Sequence, residues 1–129
     1  MLKLRKILVA LSDPMGQRSL AGALRTRGLD AVFTSTLREA RDVMGQEQVA
    51  VVFCQVQLED GSFRDLLDSG ESRRSKIPVV VCSPFYDKDV YIDAMCRGAF
   101  DFIAYPYAKK DVDWILSGAL QSAAVAAGA

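Results

Sequence analysis

Apolar residues in this chain come in short runs. The runs alternate with stretches in which apolar positions recur every three or four residues. The runs are residues 7–11, 31–33, 49–54, 77–82 and 100–104. Each has strand length and is too short for a membrane span. Residues 49–54 carry no polar side chain, the pattern of a strand covered on both faces.

The intervening stretches read as amphipathic helices. Pro14 suits a first helical turn. Leu20, Ala21, Ala23 and Leu24 then share one side, and Gly28 is a stop. Thr36 with Glu39 forms a capping box ahead of Leu37, Ala40, Val43 and Met44. Gly61 is expected to open a third, short helix with Phe63, Leu66 and Leu67, closing near Gly70. Tyr86 or Asp87 begins a fourth, carrying Val90, Tyr91, Ala94 and Met95 up to Gly98. The fifth is expected over 107–124, with Val112, Ile115, Leu116 and Ala119 inward. The order βαβαβαβαβα predicts an α/β domain. Its sheet would be parallel and five-stranded, lying between two helix layers and joined by right-handed crossovers. In such sheets the functional crevice lies at the carboxyl ends of the strands. That gathers residues 11–14, 55–62, 83–86 and 105–107 around one pocket.

The length, 129 residues, is that of one domain, read here as 1–121. Residues 122–129 are alanine-rich and read as a frayed helix end or the start of a linker. Sixteen basic and sixteen acidic residues cancel, so no nucleic-acid surface is indicated. The run behind the basic N-terminus has the length of a buried strand, not of a signal sequence, so no membrane role is indicated. Cys54, Cys82 and Cys96 are widely spaced, without a C-x-x-C pair. Cys54 and Cys82 lie in apolar runs and read as reduced core residues, which points to the cytoplasm. The chain has no histidine, which removes Ser-His-Asp catalysis, histidine-ligated metals and histidine phosphotransfer together.

Residues 4–121 resemble a receiver domain of two-component signalling. Residues 55–62, Gln-Val-Gln-Leu-Glu-Asp-Gly-Ser, stand where receivers often read D-L-x-L-P-D-G-S. Residues 77–83 resemble the fourth strand with its terminal hydroxyl, and residues 97–103 resemble the approach to the fifth strand. Tyr105-Pro106-Tyr107 stands where the family has Lys-Pro-Phe. The resemblance implies a flavodoxin-like (βα)5 sandwich with strand order 2-1-3-4-5. It also implies a signalling role in a bacterial phosphorelay, not an enzyme.

Receiver chemistry uses an acidic pair that binds magnesium, an aspartate nucleophile, a hydroxyl and a lysine. The ungapped register puts Leu11 and Ser12 at the acidic pair, with Asp13 adjacent. A one-residue slip puts Ser12 and Asp13 there instead. Gln55 holds the phosphoacceptor position, and its amide is no nucleophile. Ser83 keeps the hydroxyl. Tyr105 replaces the lysine and brings no charge at neutral pH. The expectation is a pseudo-receiver without a cofactor. The alternative is a true phospho-accepting regulator that uses a displaced aspartate, Asp60 or Asp13, with weak magnesium near Asp13.

The resemblance also implies a cis bond at Pro106 and a switch aromatic at Phe102. Lacking a hydroxyl, Phe102 is expected to stay buried in an active-like position. Gln55 is expected to bond Ser83 or a loop backbone group, and Ser83 to cap the helix at Asp87. Phe85, Tyr86, Tyr91, Tyr105 and Tyr107 cluster around the fourth helix, fifth strand and fifth helix. Among them Tyr86, Tyr91 and Tyr107 are the candidates for contact with a protein partner or a second copy.

Overall fold

A computed structural model describes residues 6–25, 28–68 and 77–126. Five parallel strands make the sheet: β1 (Lys6–Ala10), β2 (Ala31–Thr34), β3 (Val49–Gln55), β4 (Val79–Ser83) and β5 (Asp101–Ala104). Their order is β2-β1-β3-β4-β5. This is the arrangement the alternating pattern and the resemblance called for. The chain reverses direction across the sheet once, between β1 and β3, and the crevice at their carboxyl ends is where such folds place function.

Successive strand residues point to opposite faces, and two cores result. Ile7, Val9, Phe53, Val80, Cys82 and Ile103 meet helices α1 (Pro14–Arg25) and α5 (Lys109–Ala126) on one face. Leu8, Val52, Cys54, Val81 and Phe102 meet α2 (Leu37–Gln46), α3 (Phe63–Asp68) and α4 (Lys88–Cys96) on the other. A register irregularity lies between β1 and β3. Lys6 pairs with Val49, but Ile7 pairs with Val51. Ala50 is skipped, so it and Val51 both face α1 and α5.

The cap of α2 follows the sequence signal, and that of α4 comes from Asp87 where Ser83 was expected. The Thr36 hydroxyl accepts from Glu39 N at 3.1 Å, and the Glu39 carboxylate accepts from Ser35 N at 2.8 Å, one residue ahead of the usual box. Asp87 opens α4, its carboxylate accepting from Asp89 N and Val90 N. Gly28 and Gly98 hold positive φ at 66° and 99°, after α1 and α4.

Gly61 does not open α3. With Ser62 it pairs antiparallel to Gln57–Leu58 in a minimal hairpin, and the helix starts at Phe63. The expected stop at Gly70 lies outside the described residues. The last helix begins at Lys109, two residues later than expected, and runs on through Ala126. Residues 122–126 are therefore helical. No described helix is long and apolar enough to cross a membrane.

Two carboxylates that the periodicity could not place tie the layers together. Asp60, from the hairpin, accepts from Leu37 N at 2.8 Å and Arg38 N at 2.9 Å at the start of α2. Asp93 on α4 accepts from Arg64 of α3 at 2.5 Å and from Arg97 at 2.7 Å, and Arg97 also pairs with Asp68. These contacts hold both carboxyls below the ordinary range; for Asp60 the backbone N–H groups of Leu37 and Arg38 are the main cause. A depressed folded-state pKa gives stability that is complete above the unfolded value, about 3.9, and is lost as pH falls through the folded value. Asp60→Asn keeps a capping oxygen but loses the charge. The urea midpoint of this variant is expected to fall less steeply on acidification than that of the parent. Equal slopes would assign the acid sensitivity elsewhere.

Candidate functional site

At the carboxyl end of β3, Gln55 reaches sideways to the loop after β1. Its Oε1 accepts from Ser12 N at 3.1 Å and Asp13 N at 3.2 Å. Its Nε2 donates to Ser12 Oγ at 3.0 Å and to Gln57 O at 2.6 Å. The amide suits this place because it both donates and accepts; a carboxylate would set an anion against the Gln57 carbonyl. Of the two partners expected for Gln55, the loop backbone is the one it meets, not Ser83.

Leu11 continues the β1 ladder by one bond, N–H to Thr34 O at 3.0 Å, and its side chain is fully buried. Asp13 turns toward α1. Its two oxygens accept from Met15 N at 3.4 Å and Gly16 N at 3.1 Å. It is the helix cap that lets Pro14 begin α1. Gly16 leaves room for this packing, since a Cβ there would lie 3.2 Å from the Asp13 carboxylate and 3.4 Å from the Tyr107 ring.

Ser83 ends β4 and is buried. Its hydroxyl donates to Phe85 O at 2.6 Å and so closes the turn after the strand. It does not cap α4, since Asp87 supplies that cap itself. Tyr105 N donates to Ser83 O at 2.8 Å, and the Tyr105-Pro106 bond is cis. The Tyr105 and Tyr107 rings meet edge to face at 5.8 Å.

Tyr107 was expected on the contact face, but it is a core residue. It is 5% exposed, its N–H donates to Ser19 Oγ at 3.0 Å, and its hydroxyl reaches Ser83 O at 3.5 Å. Burial pushes its phenol pKa well up, and the neutral form persists. The residue follows the cis proline, where the chain turns down onto α1, and its ring fills the space beside Gly16.

Between the turns at 55–57 and 83–85 lies a cavity of about 260 Å³. Asp13 and Asp87 stand among its lining residues, with Val56, Val90, Phe85 and Tyr107 giving an apolar wall. None of the lining residues is a lysine or arginine.

The fold and this geometry can be set beside known proteins. No family model matches the chain. A curated relative, the response regulator protein PilR of Pseudomonas aeruginosa, is 28% identical over 102 residues. The match covers 79% of this chain and 23% of that protein. Among solved structures, a response regulator receiver domain protein from Clostridium thermocellum superposes with a TM-score of 0.82 at 21% identity, covering 95% of this chain and 98% of its own. NtrX from Brucella abortus in complex with ATP gives 0.85 at 22% identity, covering 98% of this chain and 29% of that one. This is the receiver fold.

In a receiver fold the crevice described above is where magnesium would be held. Magnesium demands near-octahedral oxygen ligands, with carboxylates among them. Here Leu11 presents no ligand, Gln55 Oε1 is taken by two N–H groups, and Asp13 caps α1. Among the described residues no group of three or more His, Cys, Asp or Glu side chains could hold a metal ion. The residues do not fit the ion.

The other face of the receiver fold carries the remaining aromatics. Phe102 of β5 is buried, and Tyr86 and Tyr91 lie over it edge to face, at 6.1 and 5.8 Å. Phe102 thus sits inward, as its missing hydroxyl suggested. Tyr86 is 64% exposed and Tyr91 37% exposed. Phe85, in the turn before α4, and Ile92, on α4, are exposed as well.

Proposed function

We propose that the chain is a receiver-type signalling domain of a two-component response regulator that works by protein contact without phosphoryl transfer at the usual position. The observation that carries this reading is that all four hydrogen bonds of the Gln55 amide, at the end of β3, are in use, three with the loop after β1 and one with Gln57 O. A receiver acceptor must be a free carboxylate beside a metal and a countercharge. Gln55 is an amide with its polar atoms in use, and Tyr105 brings no positive charge. The contact would run through the fourth helix, fifth strand and fifth helix, either to a protein partner or to a second copy. Tyr86 and Tyr91 would be its anchors, over an inward Phe102. Because the chain spans 23% of PilR, any output activity belongs to the same proposal.

The test is titration of the purified protein with magnesium and then beryllofluoride by calorimetry, with intact mass measured after acetyl phosphate treatment. No magnesium-dependent heat and no added phosphoryl mass are expected. Magnesium-dependent phosphorylation mapped to Asp13 or Asp60 would overturn the reading in favour of a displaced acceptor.

A further inference from the structure

The cavity between β3 and β4 carries charge of the wrong sign for a phosphoryl group. Asp13 and Asp87 both line it, and no lining side chain is cationic. Each carboxylate caps a helix, α1 or α4, whose N-terminus contributes roughly half a positive charge. Two carboxylates against two such half-charges leave about one negative charge at the mouth. The cap at α4 does not use up the Asp87 carboxylate either. Asp87 Oδ1 accepts both capping N–H groups, from Asp89 at 3.0 Å and Val90 at 3.2 Å. Asp87 Oδ2 has no hydrogen-bond partner among the described residues.

The wall behind this negative mouth is apolar and aromatic: Val56, Val90, Pro84, the exposed Phe85 ring and the buried Tyr107 ring. Aromatic faces attract organic cations, and carboxylates at the rim add to that attraction. The volume, about 260 Å³, exceeds the roughly 150 Å³ that admits a benzene-sized body. It falls below the range of about 300–1,000 Å³ typical of drug-sized ligands.

We propose that this cavity binds a small organic cation, an ammonium group on a compact apolar or aromatic body, as the effector of the domain. The proposal rests on the reading that the crevice no longer accepts a phosphoryl group. The ammonium sits between the Asp13 and Asp87 carboxylates, and the body lies against Val90 and Tyr107. Such a ligand bridges the turns after β3 and β4 where a phosphoryl group would otherwise connect them, and it touches α4 through its first turn.

The test follows backbone amide resonances of the full chain during titration with benzylammonium, benzyl alcohol and benzoate, three probes of one shape and different charge. Benzylammonium is expected to give saturable shifts at Gln55, Val56, Gln57, Phe85, Asp87 and Val90 in the millimolar range. Benzyl alcohol should bind more weakly and benzoate not at all. Asp13→Asn with Asp87→Asn removes both charges, keeps the Asp87 cap, which one oxygen makes, and keeps one of the two capping bonds at Asp13. This double variant should weaken benzylammonium about three- to fivefold. Val90→Phe fills the space and should abolish the shifts while the rest of the spectrum stays native. No saturable shift with benzylammonium, equal binding of benzoate, or undiminished binding to folded Val90→Phe would overturn the proposal. These outcomes are separate from the phosphorylation test. A silent benzylammonium titration beside a silent beryllofluoride titration sinks the ligand and leaves the contact reading standing. Magnesium-dependent beryllofluoride binding sinks both.

Discussion

Phe53→Ala is expected to cost about 3–5 kcal/mol of folding stability. Phe53 is fully buried in the central strand β3 and belongs to the core under α1 and α5. Its ring is surrounded by strand neighbours and two helices that cannot collapse together, so truncation leaves a void as well as lost apolar burial. A domain of this size has only about 5–15 kcal/mol in total, so the variant should stand near the edge of folding. The measurement is the urea midpoint with an unchanged slope. Phe53→Leu fills most of the volume and should cost less than about 1.5 kcal/mol. If the two variants unfold at the same midpoint, ring packing at this position is not what holds the layer.

Gly61→Ala is expected to cost about 2–5 kcal/mol, from two causes that act at one atom. The backbone of Gly61 has φ at 151°, outside what an alanine adopts readily. Its new Cβ would also lie 2.6 Å from the Asp65 carboxylate and 2.6 Å from Leu37 Cδ1. Asp65 is not free to retreat, because it accepts from Ser62 N at 2.9 Å and sets the turn into α3. Leu37 is buried at the start of α2. The damage should therefore reach the Asp60 cap on the same helix. Denaturation of Gly61→Ala, Leu37→Ala and the double variant checks this. The shared clash predicts that the double variant loses less than the sum of the two singles. Simple additivity would place the whole cost in the backbone of the turn.

The two kinds of periodicity in the sequence explain what could be read ahead of the structure. Short apolar runs and three-to-four spacing located five strands and five helices, because burial on one or both faces writes itself into neighbouring positions. The cap at Thr36 was legible for a similar reason, since its partner lies three residues away, whereas the cap of α4 was expected from Ser83 and comes from Asp87. The role of Gly61 was not. Glycine marks a break without saying whether a helix or a hairpin follows, and the choice here depends on Asp65 and Leu37. Tyr107 was misplaced because an aromatic after a proline carries no periodic signal, and its burial depends on the space left by Gly16, far away in sequence. The partners of Asp60, and the Arg64 partner of Asp93, lie more than twenty residues distant and leave no local trace. At the crevice, the identities of Leu11, Gln55, Ser83 and Tyr105 were legible in the sequence. That Gln55 grips the loop after β1 was visible only once β1 and β3 stood side by side.

The two cysteines of the central strands lie on opposite faces of the sheet, Cys54 under α2 and α3 and Cys82 under α1 and α5. Burial pushes the Cys54 thiol up to about 12 and raises that of Cys82 well above its usual value. At neutral pH neither offers a thiolate, and alkylation or oxidation proceeds through the thiolate. Cys96, at the end of α4, is exposed. The molecule thus carries one thiol open to electrophiles and two that are shielded until a particular helix layer lifts away. The rates at which the shielded pair react would record the opening of each side of the sheet separately, in a chain that needs no label added to it.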